Sequence, residues 1–231
     1  MIVALNNKCN LGNQEWNDYI EKVTLLKTNS TLIICPSFVN IGYVPDNAKQ
    51  GAQNVSKFAN GAYTGEISAF QLATYGVEYC IVGHSERRQY QKETDEDISD
   101  KIKQLFENDI IPILCVGETL EERQENRVGE VLNRELSFVC NSLTEEQKEK
   151  IIVAYEPIWS IGTGVIPTNI QIEEVFRYIK SKLPNTKVLY GGSANEENID
   201  ELRKISLIDG YLLGGLSLKP DKLQIFLDKC Q

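Results

Sequence analysis

The stretch Ile151-Ile-Val-Ala-Tyr155 runs directly into Glu156-Pro157, continues as Ile158-Trp-Ser-Ile-Gly-Thr-Gly164, and leads through Thr168–Leu183 to Lys187–Tyr190. A short, apolar, β-branched run reads as a strand buried on both faces. Behind it, Thr168 with Gln171 makes a capping box, and Ile172, Val175, Phe176, Ile179 and Leu183 recur at helical spacing. Lys187–Tyr190 is again a short apolar run. Strand, helix, strand is a βαβ unit with parallel strands.

The same alternation extends outward in both directions. Further runs are Ile2–Leu5, Thr31–Cys35, Tyr79–Val82, Ile110–Val116 and Asp209–Leu213, and a weaker one at Gly51–Gln53 completes eight. Helical stripes fall between them: Ile98, Ile102, Leu105 and Phe106; Val128, Val131, Leu132 and Val139; and Leu223, Phe226, Leu227 and Cys230. Gly76 suits a helix stop after Ala69–Tyr75, and Pro220 suits a first helical turn. Eight units in 231 residues predict a closed (β/α)8 barrel, whose usual length is about 250. A doubly wound open sheet is the structural alternative. No linker or low-complexity tract divides the chain, so residues 1–231 are expected to form one domain.

Charge narrows the function. Lys and Arg total 24 against 33 Asp and Glu, a formal net charge of −9, which disfavours nucleic acid and anionic membranes as partners. No run approaches the ~18 apolar residues of a membrane span. Polar Asn6, Asn7 and Lys8 follow Ile2–Leu5 too soon for a signal peptide. The only histidine is His84 and the 6 cysteines are scattered, so no metal site is expected. Cys9, Cys35, Cys80 and Cys115 lie in or beside apolar runs and read as buried reduced thiols, which points to the cytoplasm. The acidic stretches Glu93–Asp100 and Glu118–Glu125 read as solvated helix starts.

Chemistry gathers where strands end. Ile2–Leu5 leads into Asn6-Asn-Lys8, Tyr79–Val82 into Gly83-His-Ser-Glu86, and Ile151–Tyr155 into Glu156. Lys187–Tyr190 leads into Gly191-Gly-Ser193, and Asp209–Leu213 into Gly214-Gly215. In a barrel these exits share one face, the face that bears active sites. An ionised Glu156 at the end of an apolar strand is costly unless it is paired or opens on a cleft. Gly162, Gly191, Gly192, Gly214 and Gly215 let backbone N–H groups approach an anion, as a phosphate cradle requires. Neither GxxxxGK[ST] nor GxGxxG is present, so no nucleotide cofactor is implied and a small phosphorylated metabolite is the better ligand. Pro157–Gly164, with Trp159 inside it and glycines at its end, reads as a lid.

These residues together resemble the triosephosphate isomerase family along nearly the whole chain. The resemblance rests on Asn6-x-Lys8, Gly61-Ala-Tyr-Thr-Gly-Glu66, Gly83-His-Ser-Glu-Arg-Arg88 and Cys115-Val-Gly-Glu118. It continues through Ala154-Tyr-Glu-Pro-Ile-Trp-Ser-Ile-Gly-Thr-Gly164, Tyr190-Gly-Gly-Ser193 and Gly214-Gly-Leu-Ser-Leu218. It implies interconversion of dihydroxyacetone phosphate and glyceraldehyde 3-phosphate, in glycolysis and gluconeogenesis, without cofactor or metal, by a homodimer. It also implies Glu156 as base and His84 as neutral electrophile, the family's own known division of labour. Lys8 would supply positive charge, Glu86 would support the catalytic groups, and Asn6, Gly162, Ser193, Gly214 and Gly215 would help hold substrate. Thr64, with Arg87 and Gln53 in support, would lie in the dimer interface. The chain departs from the family pattern at Asn7, Cys9, Val165-Ile-Pro167 and Leu216. A barrel isomerase for larger sugar phosphates and a non-catalytic protein of the same fold are the competing readings.

Overall fold

The computed structural model describes residues 1–161 and 165–230. The strands are β1 (Ile2–Asn6), β2 (Thr31–Cys35), β3 (Lys49–Ala52), β4 (Tyr79–Val82), β5 (Ile111–Val116), β6 (Ile152–Tyr155), β7 (Lys187–Tyr190) and β8 (Gly210–Leu213). All neighbours pair in parallel, in sequence order, and β8 returns to β1 in the register Ile2↔Gly210 to Leu5↔Leu213. The result is the closed (β/α)8 barrel that the alternation predicts, and the open sheet is excluded.

Alternation along each strand divides the apolar residues into two cores. Ala4, Ile33, Cys35, Ile81, Ile113, Cys115, Ile152, Ala154, Leu189 and Leu212 fill the barrel interior. Val3, Leu5, Leu32, Val82, Leu114, Val153 and Val188 face outward onto helices that include Asp95–Phe106, Asn169–Lys182 and Pro220–Lys229. Thr168 and Gln171 form the expected capping box, and Gly76 takes φ +74° just after helix Ala69–Thr74. Closure depends on one glycine: a Cβ at Gly210 would lie 1.9 Å from the Ile2 carbonyl oxygen.

Several expectations are corrected. The weak strand is Lys49–Ala52, so Gln53 lies beyond its end. Asp209 lies just before β8, where its side chain accepts Val188 N–H at 2.9 Å and pairs with Lys180 at 2.7 Å. Cys9 is exposed, since Lys8 turns the chain at φ +54° and carries it off the end of β1. The acidic stretches are not uniformly solvated. Glu118 is fully buried, and the Glu93 side chain is enclosed by Arg87 and Lys101. No helix among the described residues is long and apolar enough to cross a membrane.

Candidate active site

The strand exits converge as the alternation predicts. Asn6, Lys8, His84, Glu156, Gly191, Gly192, Ser193, Gly214 and Gly215 line one cleft of about 170 Å³. Gly162 lies outside the described residues. Among the described residues, no cluster of His, Cys, Asp or Glu is placed to hold a metal ion.

His84 and Glu156 meet inside this cleft. His84 is the N-cap of helix Ser85–Tyr90, and its Nδ1 accepts the Glu86 N–H at 3.2 Å. An amide donor at Nδ1 leaves the ring proton on Nε2. Nε2 lies 2.9 Å from Glu156 Oε1, and Glu156 Oε2 accepts the Ser85 N–H at 2.9 Å. Glu156 is only 2% exposed. Burial alone would raise its pKa, but His84, the Ser85 amide and the charge of Lys8 outweigh burial and hold the carboxyl below its ordinary value. Burial pulls His84 down, while the charge and hydrogen bond of Glu156 pull it up more strongly, so the ring sits above its ordinary value.

Lys8 enters from the exit of β1. Its N–H is held by Asn6 Oδ1 at 3.1 Å, and its carbonyl accepts from Gln53 Nε2 at 2.9 Å. Those two bonds sustain a left-handed backbone that a lysine rarely adopts. The ammonium pairs with Glu86 Oε1 at 2.5 Å, so Glu86 touches Lys8 through its side chain and His84 through its backbone. A Cβ at Gly214 would approach Lys8 Cε at 3.2 Å, a contact the bare glycine avoids. Ser193 Oγ donates to the Ser160 carbonyl at 3.0 Å, which joins the Gly191–Ser193 loop to the loop after Glu156.

Glu118 organises the described part of the segment Pro157–Gly164, whose residues 162–164 lie outside the described residues. Its Oε1 accepts from Arg123 Nε at 2.7 Å, Trp159 Nε1 at 2.8 Å and the Tyr155 hydroxyl at 3.0 Å. The sequence reading missed this role, although Glu118 follows the exit of β5 as Glu156 follows that of β6. Among the departures, Asn7 is buried and donates to the Tyr19 hydroxyl and Ser217 Oγ, both at 3.3 Å.

The expected interface residues occupy two places. Gln53 and Arg87 border a hollow of about 350 Å³ beside the cleft, together with Lys8, Cys9, Phe38 and Tyr90. Thr64 belongs to a different hollow, on the loop Gly61–Glu66.

A family model described as triosephosphate isomerase matches residues 1–230. A relative named triosephosphate isomerase from Mesomycoplasma hyorhinis is 44% identical over 207 residues, covering 88% of this chain and 84% of its own. One of the same name from Clostridium tetani is 42% identical over 202 residues, covering 81% and 79%. Another, from Francisella philomiragia subsp. philomiragia, is 34% identical over 243 residues, covering 99% and 96%.

Proposed function

The chain belongs to the triosephosphate isomerase family and is an isomerase; from that premise we propose that it interconverts dihydroxyacetone phosphate and D-glyceraldehyde 3-phosphate through an enediolate. The observation that supports this most is the pair of Glu156 and His84, in contact at 2.9 Å within a cleft that Lys8 also lines. Glu156, held ionised, removes the proton from the carbon beside the carbonyl and returns it to the neighbouring carbon. His84, with its proton on Nε2, donates to the carbonyl oxygen and moves protons between the two oxygens. Once substrate separates the pair, His84 loses the hydrogen bond to Glu156 that helps raise its pKa, while burial, the charge of Lys8 and the amide at Nδ1 favour the neutral ring. Lys8 stabilises the growing oxyanion and attracts phosphate, while backbone N–H groups of Gly162, Ser193, Gly214 and Gly215 hold the phosphate. Asn6 orders Lys8, and Glu86 sets the ammonium in place.

The small cleft favours a three-carbon phosphate over a larger sugar. Pro157–Gly164 closes over it and keeps water from the enediolate, which loses phosphate when exposed. No metal or cofactor takes part. The reaction serves glycolysis and gluconeogenesis in the cytoplasm. Purified chain with glyceraldehyde 3-phosphate in D₂O containing EDTA is expected to yield dihydroxyacetone phosphate deuterated at the exchanging carbon, by proton NMR. Absence of turnover, or turnover restored only by a divalent ion, would refute the reading.

The protein acts as a homodimer in this proposal. The hollow beside Lys8 receives the partner's Gly61–Glu66 loop, which places Thr64 near the lysine, with Gln53 and Arg87 in support. Phe38 is 38% exposed and Tyr90 69% exposed at this hollow, apolar surface that a second copy would cover. Sedimentation with a parallel assay is expected to show a dimer at micromolar concentration. A fully active monomer there would overturn the proposal.

A further inference from the structure

Glu135 ends the helix Val128–Glu135 and is turned inward, at 7% exposure. Its Oε2 accepts the Gly117 N–H at 2.8 Å, and its Oε1 lies 3.7 Å from both Arg88 Nη1 and Arg134 Nη2. Arg88 donates Nε–H to the Gly83 carbonyl at 2.9 Å and Nη1–H to Asp95 Oδ1 at 2.5 Å. Gly83 immediately precedes His84. Gly117 is pressed against the backbone of the base, since a Cβ there would fall 1.8 Å from the Glu156 carbonyl oxygen. One buried carboxylate thus reaches the backbone behind both reacting side chains, and the mechanism above does not use it.

We propose that Glu135 is a positioning residue, which holds the exits of β4 and β5, and through them His84 and Glu156, by way of Gly117 and the Arg88–Gly83 contact. The proposal rests on the isomerase reading. Active sites lose rate steeply when supporting contacts let reacting groups drift by an ångström. The contact is also open to protons. Burial pushes the Glu135 carboxyl up to about 7, against the pull of Arg88 and the Gly117 amide. Asp95 raises it further and Arg134 lowers it. These are the charged groups facing it: Arg88 from helix Ser85–Tyr90, Asp95 from helix Asp95–Phe106, and Arg134 from its own helix. A groove of about 570 Å³, lined by Asp95, Arg134 and Glu135, gives solvent an approach.

The test combines NMR with kinetics. In ¹⁵N-labelled protein the Gly117 amide resonance is expected to shift with pH, with a midpoint near 7, and to stay flat in Glu135→Gln. Because His84 is the only histidine, its ring Cε1–H gives one unambiguous signal. That signal is expected to move in Glu135→Leu and to return in Glu135→Gln, which keeps the acceptor for Gly117. Glu135→Leu should lose about tenfold in kcat with KM within about twofold, and Glu135→Gln should recover kcat. A Gly117 amide indifferent to pH, an unmoved His84 signal, or a kcat loss that Gln does not rescue would each overturn the proposal. If Glu135→Leu does not fold, the Gly117 titration in wild type and Glu135→Gln decides. An inactive wild type whose Gly117 and His84 signals respond as described would defeat the isomerase reading and leave the structural linkage standing.

Discussion

Replacing Glu156 by Gln is expected to lower kcat by about 10²–10⁴, the usual worth of a positioned proton-transfer group. The substitution is close to isosteric. A Gln carbonyl oxygen can still accept from Ser85 N–H or from His84 Nε2, the two donors that Glu156 now holds. What disappears is the ability to take a proton from carbon. KM should therefore change little, and the melting temperature should confirm that the variant is folded. Initial rates in both directions give the test, because one base serves both. A variant that keeps near wild-type turnover would remove Glu156 from the role of base.

Lys8→Met should damage binding and turnover together. In the proposed reaction its ammonium serves both the phosphate and the oxygen that becomes charged in the enediolate, so the loss is expected in KM and in kcat. Met also leaves the Glu86 carboxylate without its 2.5 Å partner, beside a site for a dianion. Removing one donor to a developing oxyanion usually costs about 10²–10³-fold, so kcat/KM should fall by at least about 10²-fold. The backbone bonds from Asn6 and Gln53 do not depend on the Lys8 side chain and should keep the turn intact. A change confined to KM would limit Lys8 to phosphate binding.

Lys8, His84 and Glu156 were legible because each follows a buried apolar run, and parallel closure sends every such exit to one face. The inward acids were not legible. Glu93, Glu118 and Glu135 sit among exposed Glu and Asp neighbours of the same type, and nothing in local composition distinguishes the member that turns inward. Their identity depends on cations and amides brought from elsewhere: Lys101 for Glu93, Trp159 and Arg123 for Glu118, and Gly117 for Glu135. Strand β3 starts two residues before the run the sequence predicts, because Lys and Gly are poor strand formers and leave little signal. Its pairing with β2 and β4 supplies what propensity lacks. Cys9 misled for a related reason, since proximity to an apolar run says little once the chain turns at a left-handed residue.

The pairing of Ile2 with Gly210 has a bearing on biosynthesis. Until Gly210–Leu213 leaves the ribosome, β1 has a bare edge, and so does whichever strand is newest. Nascent chains in this condition present two templates for wrong pairing, and non-local parallel contacts form slowly. Gly214 and Gly215 follow β8 at once, so the room beside the Lys8 side chain also comes last. A ribosome-bound fragment ending before residue 210 therefore has the base and the histidine in its sequence but no closed wall to face them. Emergence of one four-residue strand therefore closes the barrel and removes both bare edges at once.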